Sequence, residues 1–109
     1  MSKPRNAPLD EARLIINTDR NAEYGEPYDN FQSIANMCTE LLKPVLKDGA
    51  KVEVHHVAMI MIAVKLSRMQ TSPLKFDSWT DIAGYVGAGW EATAVANGLT
   101  SPPSPRSGL

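Results

Sequence analysis

Four stretches of the chain carry apolar residues at helical spacing, separated by polar or helix-breaking runs. The first helix is expected over Leu9–Asn17: Pro8 suits an opening turn, Asp10 and Glu11 favour the positive end of the helix dipole, and Ala12, Leu14 and Ile15 form the stripe. "NTDRNAEYGEPYDN" then breaks the period. Gly25 permits a positive φ and Pro27 biases Glu26 away from helix, which predicts a loop of about ten residues, long enough to suggest function. A second helix fits residues 28–46 through Phe31, Ile34, Ala35, Cys38, Leu41, Leu42 and Val45, with Pro44 ending or kinking it. After the turn "KDGA", Lys51–Thr71 reads as a third helix. Val54, Val57, Ala58, Met61, Ile62, Val64 and Leu66 make it so apolar that it is expected to be the central, most buried element, with Pro73 as its stop. A fourth helix is predicted from Asp77 to Asn97, carrying Ile82, Ala83, Val86, Trp90, Ala94 and Val95 and stopped by Gly98. Gly84, Gly87 and Gly89 each cost roughly 1 kcal/mol against alanine there, which is expected only where a backbone or ligand comes close.

Four helices, short turns and no alternating strand pattern predict an all-α, four-helix bundle-like single domain over residues 8–97. Residues 98–109, "GLTSPPSPRSGL", lack packing groups and read as a flexible Pro/Ser/Gly-rich tail. At 109 residues the core is near the small end, where oligomerisation often adds buried surface. Trp79 and Trp90 are about three turns apart and so fall on similar faces, which predicts a homo-oligomer, at least a dimer, using the fourth helix.

Charge narrows the partners. With 11 basic and 12 acidic residues the net charge is −1, which argues against bulk nucleic-acid binding or grip on an anionic membrane, so a nucleotide would need a local basic site. The longest apolar run, residues 57–64, is far below the roughly 20 residues of a membrane span, so a soluble, cytoplasmic protein is expected. Cys38, the one cysteine, sits in an apolar register and reads as a small buried hydrophobe.

"KFDSWTDIAGY" places Asp77, Asp81 and Tyr85 on one line of the fourth helix, and Lys65 and Arg68 stand a turn apart on the third. An antiparallel return would face these cations to the carboxylates. As a site, Lys65 and Arg68 take phosphate oxygens, Tyr85 orients the ligand and Asp77 and Asp81 hold Mg²⁺; as structure, the same residues form an ion-pair layer, with Asp77 as N-cap and Ser78 and Asp81 as a capping-box-like pair. The loop adds Arg20 for a bidentate phosphate or carboxylate contact, Tyr24 for stacking on a base, and Asn30 to cap the second helix or read a base edge. His55 and His56 are adjacent, about 100° apart on a helix, and are not expected to face one metal. No Gly-rich phosphate loop and no serine-nucleophile signature are present.

Together "DRNAEYG", "DNF", "KLSR" and "DSWTDIAGY" resemble a family of small helical proteins of tailed bacteriophages and prophages with no assigned activity, with the pattern D-R-x3-Y-G, N-F, K-x2-R, D-S-x2-D-x-A-G-Y. More distantly the chain is similar to nucleotide-modification-associated phage domains and to MazG-like NTP pyrophosphohydrolases, which hold Mg²⁺ on a Glu-x2-Glu pair and a Glu/Asp-x2-Asp pair. This chain has Glu40 alone on the second helix and Asp77-x3-Asp81 on the fourth. With the polar residues above, the leading expectation is a phage protein that binds a nucleotide or nucleotide-derived signal through Arg20, Tyr24, Asn30, Lys65, Arg68, Asp81 and Tyr85, with no cofactor. Two alternatives stand beside it: a Mg²⁺-dependent pyrophosphohydrolase using Asp77 and Asp81, and a structural or protein-interaction module.

Overall fold

The computed structural model describes residues 3–18, 25–99 and 102. A 3-10 turn, Pro4–Asn6, leads into α1 (Ala7–Asn17); α2 (Pro27–Leu42) runs into a second 3-10 turn, Lys43–Val45; α3 (Val54–Thr71) and α4 (Phe76–Ala96) follow. The described residues contain no strand, and the expected all-α architecture of four packed helices is present.

Each helix end has a local cause. Glu26 is extended at ψ 145°, as the residue before a proline must be, and Pro27 opens α2 where a missing N–H costs nothing. Pro44 cannot donate to Glu40, so α2 stops at Leu42 and the chain tightens to 3-10, ahead of the expected end at residue 46. α3 begins at Val54, not Lys51; the Glu53 N–H donates to His56 Nδ1 at 2.9 Å and closes its first turn. Gly98, at φ +74°, ends α4 as expected: Leu99 N–H reaches the Ala94 carbonyl at 2.9 Å and Gly98 N–H that of Val95 at 3.0 Å, the two bonds of a Schellman motif.

The centre of the fold is α4, not α3. Among the described residues it packs against the three other helices, and α1 touches no helix but α4. The glycines allow this. A Cβ on Gly89 would stand 2.6 Å from the Ala58 Cβ, and one on Gly87 2.9 Å from the Ile16 Cδ1. The cost of glycine in a helix interior is thus offset by close helix crossings on two sides.

The core is built from Phe31 and Ala35 of α2, Val52, Val54, Val57 and Ala58 at the start of α3, and Ala88 and Ala92 of α4. Ile34, Cys38, Met61 and Tyr85 pack around it half-buried. Thr39 ties α2 to the segment before α3, accepting from the buried Val52 N–H at 2.9 Å while donating to the Ala35 carbonyl at 2.8 Å. Among the described residues, only Phe31 and Val57 are large side chains with full burial. Several expected core positions turn outward instead: Leu14 on α1, Leu41 and Val45 near the end of α2, Val64 and Leu66 on α3, and Val86, Trp90 and Val95 on α4. α3 is buried along its first turns and largely open beyond them, which is why apolar density alone misplaced the centre.

Candidate functional site

The α3–α4 hairpin brings the nominated charges together, and only one pair closes. Lys65 Nζ meets Asp81 Oδ2 at 3.0 Å, with the lysine side chain 15% and the aspartate 38% exposed. The lysine is the more enclosed partner. Arg68, one turn on, and Asp77, one turn before Asp81, are both exposed and have no ion pair among the described residues. The anticipated charged layer is therefore half formed: a closed inner pair, and an outer arginine and carboxylate open to solvent.

Three of the expected capping roles are overturned. The N-cap of α4 is Lys75, so Asp77 lies inside the first turn, where its charge faces the positive end of the helix dipole. Ser78 is buried and Asp81 is committed to Lys65, so they form no capping box. Asn30 likewise is not the cap of α2, a position Glu26 holds; it stands half-buried in the helix with its N–H on the Glu26 carbonyl at 3.1 Å. Arg20 and Tyr24 lie outside the described residues.

Tyr85 follows Asp81 by one turn, and its ring packs half-buried against the core cluster. Its hydroxyl has no hydrogen-bond partner among the described residues. With the ring held by the core, Tyr85 offers a ligand its hydroxyl rather than a stacking face.

The histidines behave differently from expectation. Their rings lie 4.1 Å apart, and Glu53, His55 and His56 each bring a potential ligand atom within 4.8 Å of the others. Side chains in the opening turn can swing beyond the helix end, so a 100° offset along the helix does not keep these two apart. His56 Nδ1 is nonetheless occupied by the Glu53 N–H, which leaves its proton on Nε2, and the positive end of the α3 dipole disfavours a cation there. A shallow dent formed by Asp10, Arg13, Leu14 and Asn17 of α1 contains none of the nominated residues.

Comparison with known proteins places the chain in a family. A family described as a domain of unknown function (DUF6378) matches residues 7–93. The chain belongs to this family. It is 37% identical over 79 residues to the Gene 55 protein of Mycobacterium phage D29, covering 72% of this chain and 48% of that protein. It is 34% identical over 79 residues to the Gene 55 protein of Mycobacterium phage L5, covering 72% and 47%. The chain thus spans about half the length of the curated relatives it matches. No solved structure matches it significantly. The family is thus one of unknown function with bacteriophage members, as the sequence resemblance implied. No described helix is long and apolar enough to cross a membrane.

Proposed function

We propose that this member of the family binds a phosphate-bearing small molecule of the nucleotide class at the outer half of the α3–α4 charged seam. The observation that supports this reading is the asymmetry of the layer. Lys65 is neutralised by Asp81 at 3.0 Å and fixes the local geometry, while Arg68, a turn away, has no ion pair among the described residues. A guanidinium so placed can take two phosphate oxygens in its planar fork. The Tyr85 hydroxyl, past the closed Lys65–Asp81 pair from Arg68, is a second polar contact for the sugar end of a ligand that reaches across the pair. Phage origin of the relatives agrees with a role in sequestering a nucleotide-derived host signal or adjusting nucleotide pools.

The pyrophosphohydrolase reading finds less support in the same geometry. Asp81 already neutralises a lysine, and Asp77 is a single exposed carboxylate, so the seam offers Mg²⁺ little beyond one committed and one free ligand.

Thermal unfolding of the full chain against nucleotides, cyclic nucleotides and ADP-ribose derivatives, with and without Mg²⁺, tests the proposal. A ligand at a hundred times its dissociation constant stabilises by about 2.7 kcal/mol. Arg68→Ala should remove that response and leave the unliganded midpoint nearly unchanged. A panel without any response points to the structural-module reading, and Mg²⁺-dependent pyrophosphate release that Asp81→Asn abolishes would favour the enzyme.

A further inference from the structure

The polarity of α3 is inverted across its middle. From Val57 to Ser67 the only charged residue is Lys65, and it points inward to Asp81. Met59, Ile60, Val64 and Leu66 point out, with Met59 62% and Leu66 50% exposed. A helix apolar on all sides belongs in an interior.

α4 carries a matching stripe. Phe76, Trp79, Ala83, Val86 and Trp90 recur at alternating steps of three and four, the spacing of a helix–helix seam, and none is charged. Phe76, Trp79, Val86 and Trp90 are 46%, 48%, 57% and 50% exposed. Trp79 is held in place, because its Nε1–H donates to the Pro73 carbonyl at 2.8 Å. Its polar edge is satisfied within the chain, so the exposed ring asks only for an apolar surface.

The two stripes adjoin. Ala58 against Gly89 and Lys65 against Asp81 set an antiparallel register that brings Leu66 level with Thr80, beside Trp79, and Met59 level with Ala88, between Val86 and Trp90. α2 covers the Val54–Val57–Met61 side of α3, and α1 covers the Gly84–Gly87 side of α4. Helical spacing puts Met59 and Leu66 on the other flank, together with the tryptophans.

We propose that two copies of this chain pair through this open flank, with Trp79, Val86 and Trp90 at the centre and Met59 and Leu66 beside them. At the exposures given, these five residues and Phe76 leave roughly 650 Å² of apolar surface on one flank, above what monomers usually show and close to the ~800 Å² per partner of a stable interface. The stripe residues themselves are uncharged, with Lys75 at the start of α4 the charge beside them, and the whole chain carries only −1, so a second copy meets little repulsion. A two-fold axis requires a self-complementary surface, and an uncharged stripe with an aromatic near each end supplies one. The flank also lies away from the ligand seam: Asp77 is two residues from Trp79, about 200° around α4. The inference is therefore independent of the proposed ligand.

Light scattering on the full chain at tens of micromolar should give twice the 11.9 kDa of one chain. The chain contains two tryptophans and both lie in the stripe, so dilution should shift the emission to the red as the mass falls to the monomer, with no loss of helical circular dichroism. Val86→Glu should reduce the mass to that of the monomer at unchanged helicity, while Leu41→Glu, at an exposed position on α2, should leave the dimer intact. A wild-type monomer at this concentration, or a dimer whose tryptophan emission ignores dissociation, overturns the proposal. If Val86→Glu fails to fold, the wild-type dilution series alone decides.

Discussion

Replacing Gly89 by alanine probes the contact that holds the hairpin together. The new Cβ would stand 2.6 Å from the Ala58 Cβ and 4.0 Å from the Ala58 Cα. Ordinary contact between two such carbons needs about 1 Å more, since carbon pairs rest near 3.5–4.0 Å. Neither methyl can rotate out of the way, because both are fixed to helix backbones, so α3 and α4 must move apart. Overpacking of this kind costs about 1–3 kcal/mol, and the alanine returns about 1 kcal/mol in helix propensity. The expected net loss is up to about 2 kcal/mol. For a domain near 100 residues that lowers the midpoint by up to roughly 15 °C in a thermal scan followed by circular dichroism. Lys65 is two turns, about 10 Å, along α3 from Ala58, so the same displacement should loosen the Lys65–Asp81 pair and weaken any ligand response. Gly84→Ala is the internal control. Its Cβ would meet Ile16 Cγ2 at 3.5 Å, an ordinary contact, so that variant should gain up to about 1 kcal/mol from propensity alone. In the double variant Gly89→Ala/Ala58→Gly the colliding methyl is gone, and the two changes should cost less together than their separate effects predict. A Gly89→Ala protein at least as stable as Gly84→Ala would refute the reasoning.

The same substitution at two threonines should act in opposite directions. Thr39→Val strands the buried Val52 N–H and should cost about 1–3 kcal/mol in urea unfolding. Thr80→Val removes a buried hydroxyl that has no partner among the described residues and should gain about 1 kcal/mol. Asp81→Ala leaves Lys65, 15% exposed, without its partner; the pair is intermediate between surface and buried cases, so a loss of about 2 kcal/mol is expected from the same measurement, and Lys65→Met in addition should recover part of it. Asp77→Asn, at an exposed first-turn position, should stay within about 0.5 kcal/mol of wild type by that assay.

Helix number and type, the stops at Pro44 and Gly98 and the extended Glu26 before Pro27 were all determined by the sequence, because each depends on contacts within a few residues. The meeting of Lys65 with Asp81 was legible too, since both hairpin helices are long, their turn is short and the periodicity of each gives a face. What lay between distant segments was not. Apolar density marked α3 as central, yet the three glycines of α4, a penalty in local terms, made α4 the helix the others approach most closely. Asp77 and Asn30 have the chemistry of caps, but each helix starts earlier, at Phe76 and Pro27, so neither reaches the cap position. Which half of the charged layer closes was decided by tertiary packing alone: the register set by Ala58 against Gly89 brings Lys65 to Asp81 and leaves Arg68 and Asp77 outside. Periodicity reports which residues share a face; only the packed chain decides what that face meets, because the energy of a contact depends on distances that local sequence does not contain.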